Sequence, residues 1–186
     1  MTHAARRIVA SWRSSGTVDR VLVKVDFANA FNSVDRSTIL EGVATHFPHL
    51  LHYAVAAYGG PTFLFFGTHV LASSTGVQQG DPLGPLLFCL ALHQLWNTLA
   101  PLAELDLAAW YLDDGVLAGS PSVLYEWLSG IEREGPKFGL FLNRRKCEVV
   151  ALHPELHHHL FPGLLLTKAR DWSLLGVPCG DEPATA

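Results

Sequence analysis

Apolar positions recur along the chain in two rhythms, and both can be read directly. Val21 to Phe27 reads VLVKVDF, a β-branched run with Val21, Val23 and Val25 on one face, which predicts a buried strand ending near Asp26. From Asp35 or Ser37 onward, Ile39, Leu40, Val43 and Phe47 fall at helical spacing, and Pro48 stops that helix. A second helix is predicted over His49 to Tyr58. After Gly59-Gly60-Pro61, the runs Phe63 to Phe66 and His69 to Ala72 flank Gly67-Thr68 and predict a hairpin. Ser73 to Gly84 reads as a loop, followed by an apolar helix from Pro85 to Leu99 that Pro101 ends.

The second half alternates in the same way. Leu107 to Tyr111 and Val116 to Ala118 predict two short strands around Leu112-Asp113-Asp114-Gly115, a turn in which Gly115 can accept positive φ. Ser120-Pro121 supplies a cap and a first-turn proline for a helix buried through Val123, Leu124, Trp127, Leu128 and Ile131. Gly135-Pro136 or Gly139 closes that helix. Leu140 to Leu152 is expected to be extended, and Trp172 to Val177 to form a last strand or hairpin. Alternating helices and antiparallel hairpins, with no internal repeat, argue for an α+β sandwich, its antiparallel sheet on one side and its helices packed on one face.

Composition narrows the function classes. A chain of 186 residues fits one compact unit able to bury a core. Charged residues make up 16% and apolar ones 49%, so an intrinsically disordered chain is excluded. The 13 Lys and Arg against 17 Asp and Glu leave a net charge of −4, so any grip on nucleic acid by phosphate neutralisation must be local or assisted. The three cysteines, Cys89, Cys147 and Cys179, are dispersed without a CxxC, which argues against a disulfide framework and for a reducing, intracellular setting, cytoplasmic or nuclear. No signal peptide, other targeting segment or membrane span is read from the apolar pattern.

Three places could carry chemistry. Asp26 stands where a buried strand emerges, a position that serves either a rigid metal ligand or an ordinary turn acid and cap. Asp113 and Asp114 repel each other at the tip of an apolar hairpin; a divalent cation or free access of water would relieve them. Thr75 to Pro85 holds three glycines and two prolines, a loop of fixed shape that a flat substrate could approach closely. His157-His158-His159 cannot all face one ion on a regular element, so the run is not read as a metal site.

Taken in order, these segments resemble the palm of a reverse transcriptase, of the type found in non-long-terminal-repeat, LINE-like retrotransposons. VDFANAFNSVD resembles the first palm motif, TGVQQGDPLGPLLF the second, YLDDG the catalytic hairpin, GLFLNRRKCEVV the fourth motif and WSLLGVP the primer grip. The resemblance implies a polymerase palm with a ferredoxin-like, RRM-like core over residues 21–178, residues 1–20 as a remnant of the fingers or an N-terminal extension, and 179–186 as a disordered tail. It implies an RNA-directed DNA polymerase that uses two Mg2+ ions, with Mn2+ able to substitute, held by Asp26, Asp113, Asp114 and the carbonyl of Phe27. Phe31 is then placed under the sugar of the incoming nucleotide, Gln79 and Gly80 against the nascent pair and template, Lys146 near the leaving pyrophosphate, and Leu175-Gly176 at the primer-grip turn. Asn29 and Asn32 depart from the charged residues that relatives often carry there. The implied partners are an RNA template, a DNA primer and deoxynucleoside triphosphates, with fingers and thumb segments or a partner chain needed for activity. Two alternatives accompany this reading: an RNA-templated RNA polymerase palm, and an inactive domesticated palm that serves as an interaction module.

Overall fold

The computed structural model describes residues 1–100, 102 and 104–180. In chain order the elements are α1 (Thr2–Ser15), β1 (Val21–Val25), α2 (Ala30–Ser33), α3 (Arg36–His46), α4 (Leu51–Tyr58), β2 (Thr62–Phe66), β3 (His69–Ser73), α5 (Gly84–Leu99), β4 (Leu107–Tyr111), β5 (Asp114–Gly119), α6 (Pro121–Glu134), β6 (Glu148–Ala151), β7 (Leu165–Lys168), β8 (Ser173–Leu174) and β9 (Val177–Pro178). Among the described residues no helix is long and apolar enough to cross a membrane. Against the expectation of one unit, the chain divides into two: Met1–Asp26 with Leu102–Ser129 and Leu142–Ala186, and Phe27–Pro101 with Gly130–Phe141. Chain length bounds the volume of a core but not how often the backbone passes from one core to another, so it could not reveal this division.

The first unit holds a five-stranded sheet in the order β4-β5-β1-β6-β7. Its pairings are antiparallel except for β6 with β7, which run parallel. The β-branched run of β1 forms the central strand. Leu22, Val116, Ala118 and Val150 point to one face, where Ala5, Val9 and Trp12 of α1 and Trp172 and Leu174 complete a buried cluster. Each valine or leucine of this cluster removed from water contributes roughly 1.5–3 kcal/mol before entropy is counted. The helix α1 forms because residues 1, 5, 8, 9 and 12 share one apolar stripe, and Gly16 ends it in the left-handed conformation at φ 67°. The sequence reading assigned no element to this segment and none to β7. The expected extended segment from Leu140 to Leu152 is regular only over β6. Pro101, predicted to end α5, and Asp181 to Ala186 lie outside the described residues.

In the second unit α3 and α5 approach closely at Gly42, where an added Cβ would stand 3.0 Å from the Leu90 Cβ. The Gln94 side-chain amide donates to the Thr38 carbonyl at 2.7 Å across the same contact. The predicted hairpin β2–β3 forms, with Phe66 opposite His69, and is exposed on both faces, Phe65 by 78%. Asp35 caps α3: its carboxylate accepts from the Thr38 amide at 3.0 Å and from the Ser37 hydroxyl. Burial opposes ionisation of Asp35, but these hydrogen bonds outweigh it and hold the carboxyl below its ordinary value. Asp35→Ala is therefore expected to cost about 1 kcal/mol at neutral pH. Because the folded pKa is depressed, that contribution is present above the unfolded value and disappears as pH falls through the folded one. Urea melts at pH 7 and at successively lower pH check this, and a cost that grows on acidification would refute it.

Candidate active site

The two elements predicted to carry acids meet on one sheet face. The β1–β5 register pairs Lys24 with Val116 and Val25 with Gly115, and its continuation by one step sets Asp26 opposite Asp114. Side chains directly opposite in an antiparallel pair project to the same side. The β4–β5 hairpin closes at the Tyr111–Asp114 pair, leaving Leu112 and Asp113 as a two-residue turn. Positive φ falls on Leu112, at 56°, and not on Gly115, which could have accepted it. A first turn residue in that region is the pattern of a type II′ turn, where glycine is usual, so Leu112 carries strain of order 1 kcal/mol to present Asp113. Gly115 has a different reason to be glycine: a Cβ there would lie 2.3 Å from Cζ3 of Trp110.

Asp26 is held through its backbone. Its carbonyl accepts from the Asn143 amide at 2.8 Å, and its amide donates to the Cys147 Sγ at 3.4 Å. Its Oδ1 is buried without a hydrogen-bond partner. Burial raises the pKa of Asp114, the negative charges of Asp113 and Asp26 raise it further, and Lys24 opposes them. Asp114 is thus close enough to feel the charge of each of the other two. Lys24, two residues before Asp26, is paired with Glu148, its register partner on β6.

A cavity of about 440 Å3 opens on this group. Asp26, Asp114 and Lys24 line it, as do Arg145, Lys146 and the turn of the β8–β9 hairpin. That turn, Leu175-Gly176, has φ of 51° and 74°, the type I′ pattern that two-residue hairpins favour. The structure therefore brings together Asp26, Asp114, Lys146, Leu175 and Gly176, with Asp113 beside Asp114 in the hairpin turn. As they stand, no three His, Cys, Asp or Glu side chains among the described residues enclose an ion. The donor set still fits a hard divalent cation: all-oxygen, anionic, mutually repelling, and with one buried oxygen unsatisfied.

The other predicted residues lie in the second unit. Phe27 is buried and begins that unit. The half-buried Phe31 ring stacks on Phe88 of α5, centroids 4.6 Å apart and planes 11° apart. Its carbonyl accepts from the Val77 amide at 2.8 Å, which ties Phe31 to the loop that displays Gln79 and Gly80, both exposed. Asp81 braces that loop by accepting from Tyr58 at 2.5 Å, from Tyr53 at 3.2 Å and from the Leu83 amide at 2.8 Å. Burial and then Asp81 push the Tyr58 phenol up to about 12, so it remains a donor throughout the neutral range. Sequence reasoning passed over Arg36, whose buried guanidinium donates to the carbonyls of Gly76, Gly60 and Ser73 at 3.0, 3.1 and 2.9 Å. It also passed over Lys24, Cys147 and Trp110; a lysine inside the otherwise apolar β1 run was the one available signal. Within the His157–His159 run, the His157 ring meets the Val18 carbonyl and the His158 ring the Glu155 carbonyl, so these two rings take separate partners.

Comparisons with known proteins bear on the family and the fold. The family model for reverse transcriptase (RNA-dependent DNA polymerase) matches residues 6–179. A retrovirus-related Pol polyprotein from the type-1 retrotransposable element R2 of Bradysia coprophila is 32% identical over 142 residues, 70% of this chain and 16% of that protein. The retrotransposable element SLACS 132 kDa protein of Trypanosoma brucei gambiense is 31% identical over 152 residues, 77% of this chain and 13% of that protein. The chain thus matches a small part of the length of these relatives. Among solved structures, telomerase from Candida tropicalis in complex with a fragment of telomeric RNA superposes with a TM-score of 0.59 at 13% identity, covering 78% of this chain and 29% of that one. Telomerase from Candida albicans gives 0.59 at 13% identity, covering 80% and 31%. Those likenesses bear on the fold, a polymerase palm with an antiparallel-dominated sheet. With the family model spanning nearly the whole sequence and both relatives drawn from non-long-terminal-repeat retrotransposons, the chain belongs to the reverse transcriptase family.

Proposed function

We propose that this chain is the catalytic palm of an RNA-directed DNA polymerase that adds deoxynucleotides to the 3′ end of a primer. The observation that carries the reading is the shared sheet face of Asp26 and the Asp113-Asp114 hairpin, with Asp26 Oδ1 buried and unpartnered. Asp26, Asp113 and Asp114, with the Phe27 carbonyl, are the residues to hold divalent ions, Mg2+ or Mn2+. When bound, such a pair activates the primer hydroxyl and offsets charge on the transferred phosphoryl group.

The chain's own residues do the rest. The hydrogen bonds to the Asp26 backbone fix the ligand before substrate arrives, which removes a reorganisation cost from the reaction. Lys146 and Arg145, on the wall of the same cavity, are the cations to meet the leaving pyrophosphate, with Lys146 as its proton donor. Leu175-Gly176 supports the primer strand, and the loop with Gln79 and Gly80 packs on the nascent pair, reading its shape and not its sequence. The partners are an RNA template, a DNA primer and deoxynucleoside triphosphates, held together with fingers and thumb segments or a partner chain.

The test is primer extension on an RNA template under Mg2+ and Mn2+ titration, with the chain alone and joined to fingers and thumb segments. Metal-dependent extension supports the reading. Its absence from both forms would favour a palm retained as an interaction module. Sugar discrimination addresses the RNA polymerase alternative. Phe31→Val is expected to raise ribonucleotide use relative to deoxynucleotide by roughly tenfold or more, since one steric contact controls about that much selectivity. An unchanged ratio would remove Phe31 from the sugar.

A further inference from the structure

Tyr58, the last residue of α4, is 1% exposed, and both its ring and its hydroxyl are engaged. The Arg36 guanidinium lies 5.4 Å from the ring centre and is itself fixed by the carbonyls of Gly76, Gly60 and Ser73, which limits the freedom of the ring. The hydroxyl accepts from the Gln78 amide at 3.2 Å and donates to the Asp81 carboxylate. Those two partners are the corners of one tight turn. The Asp81 amide donates to the Gln78 carbonyl at 3.2 Å, and the residues between them are Gln79 and Gly80. Gly80 has φ of 90°, the positive value at the third position that marks a type II turn. A single phenol therefore spans the turn that displays the two exposed residues assigned to the nascent pair.

Such a turn gains from outside support. Glycine at the third position accepts either sign of φ, so the type I and type II forms, which differ in the orientation of the Gln79–Gly80 peptide, are both open to this sequence. The support comes from both flanks. The Gln78 side-chain amide donates to the Ala57 carbonyl at 3.4 Å, next to Tyr58. The Asp81 oxygen that does not meet Tyr58 accepts from the Leu83 amide at 2.8 Å, just ahead of α5, and from the Tyr53 hydroxyl at 3.2 Å. The turn is thus tied to the end of α4 on one side and to the start of α5 on the other. Because the Tyr58 phenol stays protonated through the neutral range, it holds both corners at once.

We infer that Tyr58 is a positioning residue for nucleotide selection: its hydroxyl clamps the corners of the Gln78–Asp81 turn, and the turn so held accepts a nascent pair of correct shape and disfavours others. The inference rests on the polymerase reading, which supplies the nascent pair. Tyr58 is buried and acts through Gln79 and Gly80. A loose turn adjusts to a wrong pair as readily as to a right one, whereas a fixed turn does not, so rigidity here becomes selectivity.

Two readouts test this. In the full chain, without metal or nucleic acid, amide hydrogen exchange is followed across residues 76–84. Tyr58→Phe is expected to speed exchange at Gln78 and Asp81 by about tenfold, the loss of one hydrogen bond of ordinary strength, and to leave α5 as it is. In an assembly that supports extension, correct and mismatched deoxynucleotides are then compared. Tyr58→Phe is expected to raise KM for the correct nucleotide by about tenfold, to change kcat by less than about threefold, and to leave mismatch kcat/KM nearly constant, so that discrimination falls by about tenfold. A smaller folded fraction would instead lower kcat for both nucleotides alike and leave KM and the ratio in place, so a merely structural role does not give this pattern. Tyr53→Phe removes a phenol from the same carboxylate but leaves both corners held, and is expected to keep discrimination within about twofold of the parent. Unchanged exchange at the corners, unchanged discrimination in Tyr58→Phe, or an equal loss in Tyr53→Phe would each overturn the proposal. A parent that extends no primer even with fingers and thumb segments fails the polymerase reading and takes the positioning role with it, while the exchange result reports on the clamp separately.

Discussion

Asp113→Asn is expected to abolish primer extension, lowering single-nucleotide incorporation by about a thousandfold or more, with Asp26→Asn matching it. Either change keeps the shape of the side chain and removes one negative charge from a group that already repels itself. A metal ligand that stabilises transition-state charge is worth several kcal/mol, and about 4 kcal/mol corresponds to three orders of magnitude in rate. Folding is not expected to suffer, because the variants remove repulsion; thermal melting of the metal-free protein checks this. Asp114, exposed at the start of β5, is expected to matter less than the other two. Incorporation by Asp113→Asn within tenfold of the parent, measured in an assembly that supports extension, would refute the assignment of the site.

The second large effect is on stability and comes from a residue remote in sequence from every acid. Arg36 is 6% exposed and satisfies three backbone carbonyls, while its guanidinium also lies 5.4 Å from the centre of the Tyr58 ring. Those carbonyls belong to Gly60, Ser73 and Gly76, so this one side chain ties the base of the β2–β3 hairpin to the start of the Gln79 loop. Arg36→Leu fits the space but strands the acceptors, each at a cost of about 1–3 kcal/mol, for an expected loss of about 3–5 kcal/mol in urea melts. Arg36→Lys restores charge without the planar fork and is expected to recover less than half of that loss. A leucine variant within about 1 kcal/mol of the parent would show that water takes over these bonds.

Much of this architecture could be read from the residues, for physical reasons that also explain the misses. The β-branched run of β1, the Gly-Thr turn between β2 and β3 and the helical spacing from Ile39 are local signals, and each produced the element predicted. The acid-bearing hairpin was placed correctly but its turn was not: Gly115 lies in β5 opposite Trp110, and the positive φ sits on Leu112, the first of the two turn residues. Which two residues form the turn follows from the strand register, which has no local signature. The parallel pairing of β7 and the packing of α1 likewise depend on partners distant in sequence. Arg36 went unnoticed because its function is defined by three carbonyls, which every residue carries. The convergence of Asp26 with the hairpin acids was anticipated from the order of the motifs, and the register of β1 with β5 supplies the geometry that order alone lacks.

The division of the chain bears on how it is made. β1 is the central strand of its sheet, yet β5 follows it by about a hundred residues and β6 later still. A ribosome emitting this polypeptide at about 5–20 residues per second leaves the Val21–Val25 run without either neighbour for several seconds. Over the same interval most of the second unit is already outside the tunnel and free to collapse. The strand that presents the first acid is therefore among the earliest segments synthesised and the one that waits longest for its partners, an interval in which a chaperone that shields β-branched sequence would have its greatest effect on yield.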